Sequence, residues 1–528
     1  MKPLAPTLPA QLRRGPLVVA AFFLLALLAA YLASKFILSG DTTSLLLVSL
    51  FLIFAVVVVV MLNDWRTGLY FFLVWLLFED FARKYLGNNM AIYFGKDILA
   101  AIVYLSFIAS YRRKQAHSFR PPFLIPLLLF VWFGIVQVFN PSSSSLVYGV
   151  LGLKLYFYYV PLIFVGYALL ESEADLRRFF SVTLVLVVVI VSLGIAQSIL
   201  GHTFLNPARP ADDIRELSQL YRAAPISGLI AYRPDSVFVS AGRFANFLVL
   251  SWLLAFGFSG YLLYRHRGGR KLAFVSLTAT FAGVALCASR GVLVWVALSA
   301  VVGAVAFLWG SPWRNQAITR ILRTLQRAAL GGCLALVVLM LIYPEALLSR
   351  VAIYTETLSP TSSASELIYR ARDYPFENLL KAFQYDRWPY GFGIGTASLG
   401  VQYVSRIMHV PPMGVGVENG YGALIVEMGI GGLVLWLVMS FAIIFTAWKE
   451  VRKLRGSPWF PLGFMIFWYA LLLLVPMMYS SLASYQDFVL NAYLWLLLGI
   501  LFRLPTMASS ARFAPPVSSG ELPQRWSR

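Results

Sequence analysis

The chain of 528 residues is 59% hydrophobic and only 12% charged, with a mean hydropathy of +0.75. A soluble domain carries roughly twice that share of charge, which excludes a string of soluble globular domains. The formal charge of +20 raises nucleic-acid binding as a reading, but the basic clusters are short and each flanks an apolar run, the pattern of a membrane protein.

Lys2, Arg13 and Arg14 precede the apolar run Pro16–Leu38, too long for a signal-peptide core and without a clear cleavage site. It reads as the first spanning helix. A span needs about 20 apolar residues, fewer inside a bundle. The further candidates in the first half are Ser44–Leu62, Thr67–Phe78, Ala91–Tyr111, Pro121–Phe139, Leu146–Leu170 and Phe179–Leu200. The second half gives Phe244–Tyr264, Leu272–Ala288, Val292–Trp309, Ala328–Tyr343, Tyr421–Trp448, Phe460–Tyr479 and Phe488–Phe502. The expected fold is therefore an all-α polytopic membrane protein of about 14 transmembrane helices. Thr67–Phe78 is the weakest of these, being short and ending in charge.

Charge settles the orientation this scheme implies. With the N-terminus inside, the cytoplasmic segments hold 26 of the 43 Lys/Arg and six of the 23 Asp/Glu. The whole excess of +20 then lies on one side, as the positive-inside rule requires. Both termini are expected in the cytoplasm and the protein in the bacterial inner membrane.

This divides the chain into an N-terminal bundle of about seven helices (1–200), a first long outer loop (201–243), central helices (244–343), a large outer loop (344–419), C-terminal helices (420–503) and a disordered cytoplasmic tail (504–528). Loops as long as the two outer ones are functional or disordered. The first is expected to hold a short polar helix, Asp212–Arg222. The second opens with a flexible Ser/Thr run, Thr355–Ser365, and then an amphipathic stretch in which Pro375 separates two short interfacial helices. A tight glycine turn, Pro389-Tyr390-Gly391-Phe392-Gly393-Ile394-Gly395, follows.

No Asp-x-Asp pair occurs, and no His/Cys set has metal-ligand spacing, so neither metal nor cofactor is expected. Glu171, Glu173 and Asp175 read as helix-start charge. Cys287 and Cys333 lie in apolar runs and do not suggest a disulfide. Arginines sit near outer helix ends: Arg233, Arg243, Arg290 and, on the large loop, Arg370. Their planar forks suit phosphate oxygens, against the plainer reading of turns that snorkel or pair locally. Arg372, Arg387 and Arg406 read as solvated surface. In the run Gly416–Gly432, Glu418 lies at the mouth of a helix, where it serves as base or as helix-start acid. Glu427, deeper in a Gly-rich span, is expected to brace the bundle.

Four motifs in order carry a resemblance: Gly242-Arg243-Phe244-Ala245-Asn246-Phe247-Leu248, Ser289-Arg290-Gly291, the Pro389–Gly395 turn, and Glu418-Asn419-x-Tyr421-x5-Glu427-x-Gly429. Together, over about residues 179–444, the chain resembles the O-antigen ligase and O-antigen polymerase superfamily. The resemblance implies an architecture like that of the integral-membrane (GT-C-like) glycosyltransferases, with a large periplasmic loop of short helices. It implies metal-independent, inverting transfer of oligosaccharide from a polyprenyl diphosphate carrier to a glycan acceptor at the periplasmic face. It also implies the lipid bilayer and other polysaccharide assembly proteins as partners, with no nucleic acid. Glu418, followed by Asn419, stands where ligases carry a loop histidine, which favours the polymerase or exopolysaccharide branch over ligation onto lipid A–core. His409 is the alternative base. Arg233, Arg243, Arg290, Arg370, Asn419 and Tyr421 are the expected substrate-binding residues. A transporter or flippase of lipid-linked oligosaccharide is the rival class, and a non-catalytic assembly partner the third.

Overall fold

A computed structural model describes residues 54–86, 90–207, 220–265, 268–310, 314–358, 369–401, 405, 409 and 416–513. The expected span Pro16–Leu38 and most of Ser44–Leu62 lie outside the described residues, as do residues 212–219, Arg406 and the chain beyond 513. In chain order the helices are α1 (Phe54–Asn63), α2 (Trp65–Tyr85), α3 (Met90–Arg112), α4 (Leu124–Val138), α5 (Leu146–Phe157), α6 (Leu162–Leu169) and α7 (Glu173–Leu200). A strand pair follows, β1 (Tyr221–Ala223) and β2 (Ile230–Tyr232), then α8 (Ala241–Arg265), α9 (Arg270–Leu286), α10 (Arg290–Gly310), α11 (Arg314–Ile342) and α12 (Pro344–Leu358). A π turn (Tyr369–Asp373) leads into α13 (Tyr374–Ala382), and α14 (Gly420–Lys453), α15 (Phe460–Leu474), α16 (Leu482–Gln486) and α17 (Phe488–Phe513) complete the chain.

Each expected span from Thr67–Phe78 onward falls on a helix. Among the described residues seven are long and apolar enough to cross a membrane, or eight if the pair α11 and α12, bent by 119°, is one span. The chain is an all-α membrane protein. α8 and α17 form its centre, with 83% and 89% of their apolar stretch buried, whereas α10 buries 33% and sits at the edge. In lipid, helices associate through close backbone approach rather than through hydrophobicity. α6 and α17 show this directly: a Cβ at Gly166 would meet the Leu496 carbonyl, and one at Gly499 the Ile163 carbonyl.

The helix-start reading of the acidic cluster holds. Ser172 caps α7 in a reciprocal capping box with Asp175, while Glu171 pairs with Arg66. Four expectations change. α2 is not short: it runs through Glu79, Asp80, Arg83 and Lys84, all buried. The loop helix ending at Arg222 is replaced there by strand, because Pro225 and Gly228 (φ 69°) turn the chain back and pair Arg222 with Ala231. That turn is tied to α12, since the Glu356 carboxylate accepts from the Ile226 and Ser227 N–H groups at 2.7 and 3.0 Å. Residues Thr355–Leu358 of the supposed flexible run are the last turn of α12. α17 continues past Phe502 to Phe513, so the first part of the expected tail is helix.

The glycine turn of the large loop wedges into α14. α14 breaks at Gly429 (φ 67°, ψ −170°), and the carbonyls and N–H groups freed there are taken up by the turn. Phe392 N–H donates to the Val426 carbonyl and Gly393 N–H to that of Glu427, both at 2.9 Å, and Ile430 N–H donates to the Pro389 carbonyl at 3.3 Å. Gly391 has a φ of 79°, and any Cβ there would collide with the Glu427 carbonyl and the Gly429 nitrogen. Gly456, also at positive φ (77°), has nothing within 4 Å of its Cβ position.

Gly456→Ala is expected to carry only the left-handed backbone cost of roughly 1–2 kcal/mol, whereas Gly391→Ala adds a collision inside the kink. Thermal unfolding of the purified variants checks this. A fall in Tm no larger for Gly391→Ala than for Gly456→Ala would show that the wedge does not hold α14.

Candidate functional site

A cavity of about 610 Å³ opens between the start of α10, the strand pair, α12, α13 and the turn before α16. Its basic side is Arg222 on β1 and Arg290, the first residue of α10. Its acidic side is Glu418, whose carboxylate accepts from the Tyr374 hydroxyl, with Asn419 beneath. Val294, Trp295 and Leu298 of α10, with Met478 and Tyr479, make the floor apolar, and Ser480 and Ser481 add hydroxyls. A smaller cavity of about 100 Å³, mostly apolar, shares Trp295 and Ser480 with it and reaches between α8 and α15.

Local sequence fixes these positions. Asn419 is the N-cap of α14: its side-chain oxygen accepts from Gly422 N–H at 2.7 Å, and its amide donates to the Pro375 carbonyl at 2.8 Å. One residue thus starts the helix that presents Glu418 and pins α13, which presents Tyr374. Pro375 sits in the first turn of α13, where a missing N–H costs nothing. The opposite wall is fixed by Gly420 N–H, which donates at 2.8 Å to the carbonyls of both Met477 and Ser480.

Of the residues expected from sequence, Arg290, Glu418 and Asn419 line this one cavity. Arg222 and Tyr374 line it too and were missed, Arg222 because it was placed in a polar helix and Tyr374 because only the fold brings it to Glu418. Tyr421 points away, its hydroxyl donating to the Val475 carbonyl. His409 is exposed, has a φ of 52° and does not line the cavity. Arg370 lies in the π turn, with its side chain outside the described residues. Arg233 stands apart, beside Cys287 and Tyr354, and burial lowers its guanidinium from the usual range. Glu427 is fully buried and accepts from Tyr156 Oη (2.8 Å), Ser398 Oγ (2.6 Å) and Ala397 N–H (3.0 Å), the bracing role expected of it.

Arg243 belongs to a second constellation that the sequence did not disclose. Its guanidinium is 2.7 Å from Asp80 and 3.4 Å from Asp487, and it lies over the Phe488 ring. Arg83 joins Asp80 at 3.1 Å, and Lys84 meets Asp235 at 3.0 Å and the Ser236 carbonyl at 2.8 Å. Lys96 lies 3.5 Å from Glu79 and over the Tyr93 ring, and Lys154 is 2.6 Å from Asp97. Five carboxylates and five cations are thus gathered at one end of the bundle, neutral as a set. Such pairs are costly to bury and far costlier to break. Burial pushes the Asp487 carboxyl up, and the Arg243 charge opposes that. Among the described residues no three His, Cys, Asp or Glu side chains are grouped to hold a metal ion.

If Arg243 is a brace, Arg243→Ala leaves buried Asp487 without its cation and Asp80 with Arg83 alone, and costs about 3–5 kcal/mol. Protein abundance and Tm should fall, and Asp80→Ala in the same chain should recover part of the loss. Normal abundance and Tm for Arg243→Ala would return this arginine to substrate binding. Searches of family models and of curated proteins find no match to this chain.

Proposed function

We propose that this protein is an inner-membrane glycosyltransferase of about 14 spans, GT-C-like in architecture, with both termini in the cytoplasm. It transfers or polymerises oligosaccharide units from a polyprenyl diphosphate carrier onto a glycan acceptor at the periplasmic face, in O-antigen or exopolysaccharide assembly. The observation that carries this reading is the convergence of two guanidinium groups and one carboxylate across a cavity with an apolar floor. A diphosphate calls for fixed cations, an attacking hydroxyl for a carboxylate, and a prenyl chain for apolar surface.

In this reading an acceptor hydroxyl attacks the anomeric carbon as the bond to the diphosphate breaks. Glu418 takes the hydroxyl proton as general base. Arg290 and Arg222 stabilise the charge that grows on the leaving diphosphate, and the N-terminus of α10 adds its dipole. Tyr374, donating to one carboxylate oxygen, leaves the other for the acceptor. Single displacement inverts the anomeric configuration. The cations differ from those first expected, since Arg243 is committed to Asp80 and Asp487 and Arg222 takes its place.

The buried charge constellation is the one observation favouring a transporter or flippase, because ionisable groups at membrane depth commonly mark ion pathways. The two readings separate cleanly. Purified protein given lipid-linked oligosaccharide in detergent, with no gradient, should lengthen or transfer glycan if it is a transferase, and leave it unchanged if it is a carrier. Glu418→Gln should lower turnover by about 10²–10⁴-fold. Arg290→Ala and Arg222→Ala should each weaken it, with protein abundance unchanged. Full activity in all three variants would remove this site.

A further inference from the structure

The face of α13 turned away from α14 is apolar and uncovered. Pro375, Asn378 and Ala382 are buried against the bundle, whereas Phe376 and Leu380 are 57% and 61% exposed, one turn apart on the opposite side. Phe383 extends the same row and its ring meets that of Trp388 edge-on at 5.3 Å, so the patch runs on into the glycine turn, where Tyr390 is 75% exposed. An exposed apolar row on a nine-residue helix whose other side is already packed gains nothing from an aqueous setting. The neighbouring surface says what covers it. The Tyr390 carbonyl accepts from Gln137 (3.1 Å) and Asn140 (3.4 Å) at the end of α4, and the uncovered row Trp132, Val136 and Phe139 of that membrane helix leads up to the same point. The patch therefore continues a lipid-facing surface at its rim, where Trp and Tyr collect at the boundary of a bilayer. Exposed Lys381 and Arg387 flank it.

We infer that residues 374–390 form a foot seated in the bilayer interface, its partner the headgroup and upper acyl region of the leaflet on the cavity's side. The foot lies parallel to the interface as amphipathic helices do, with Phe376, Leu380 and Phe383 inserted. Tyr374 and Pro375 of the same helix line the large cavity, so one wall of the cavity is anchored to the membrane surface itself. A substrate held in that leaflet meets the cavity at the level of the foot, whichever reaction takes place there.

The native cysteines are only two, Cys287 and Cys333, so a Cys287→Ala, Cys333→Ala chain can carry one bimane probe at position 380 or at position 381. The protein is reconstituted in phosphatidylcholine vesicles, and quenching by doxyl lipid is divided by quenching by aqueous iodide. The ratio is expected to be at least three-fold higher at 380 than at 381. A smaller difference overturns the foot. The native chain supplies a measurement that no substitution can spoil, hydroxyl-radical footprinting in nanodiscs. Phe376, Leu380 and Trp388 should be oxidised at no more than a third of their rates in the unfolded chain. Rates above that overturn the inference as well. Neither readout depends on glycosyl transfer, so failure of the foot leaves the proposed reaction standing, and the reverse.

Discussion

Hydrocarbon offers no hydrogen bonds, so every polar group carried into this bundle must find its partner inside the protein. The kink of α14 is where that constraint is felt most. Breaking a helix at Gly429 frees backbone groups, and the turn Pro389–Gly393 supplies donors and an acceptor for them. Glu427, next to the break, is satisfied in the same way by Tyr156, Ser398 and Ala397. Gln486 then ties Ser398 Oγ and Leu399 N–H to the segment before α17. One large loop, α5, α14 and α16 are thereby locked around a single carboxylate. The cavity wall formed by Glu418, Asn419 and Tyr374 is built on that lock.

The charged cluster around Arg243 obeys the same rule by another means. Acids and bases from α2, α3, α5, the first long loop, α8 and the start of α17 neutralise one another instead of reaching water. A hydrophobic set of equal volume would commonly be at least as stable. What the ionic set adds is direction, because each pair tolerates few geometries. It fixes how α8 and α17, the two central helices, meet the first long loop. The arginines that line the cavity, Arg222 and Arg290, come instead from β1 and from α10 at the edge of the bundle.

The foot and the cavity share α13, and this joins membrane contact to the candidate chemistry. Asn419 holds α13 to the mouth of α14 through the Pro375 carbonyl, so a shift of the helix in the interface would move Tyr374 relative to Glu418. Loops that cover substrate sites commonly act in this way.

Hydropathy and length by themselves located the described helices from α2 onward and their order, because burial in lipid writes itself as long apolar runs. Gly429, the glycine turn and Glu427 were also visible as an oddity, a carboxylate in a glycine-rich span. Arg290 and Glu418 drew notice because charge at the ends of apolar runs is rare, and the fold brings both to one cavity. Tertiary structure alone decided where each arginine goes. Arg243 and Arg290 look alike in sequence, each at the start of an apolar helix, yet the fold sets the first against Asp80 and Asp487 and the second in the wall of the large cavity. Arg222 and Tyr374 were illegible for the same reason: their meaning lies in partners tens to hundreds of positions away, and no local pattern records a long-range pair.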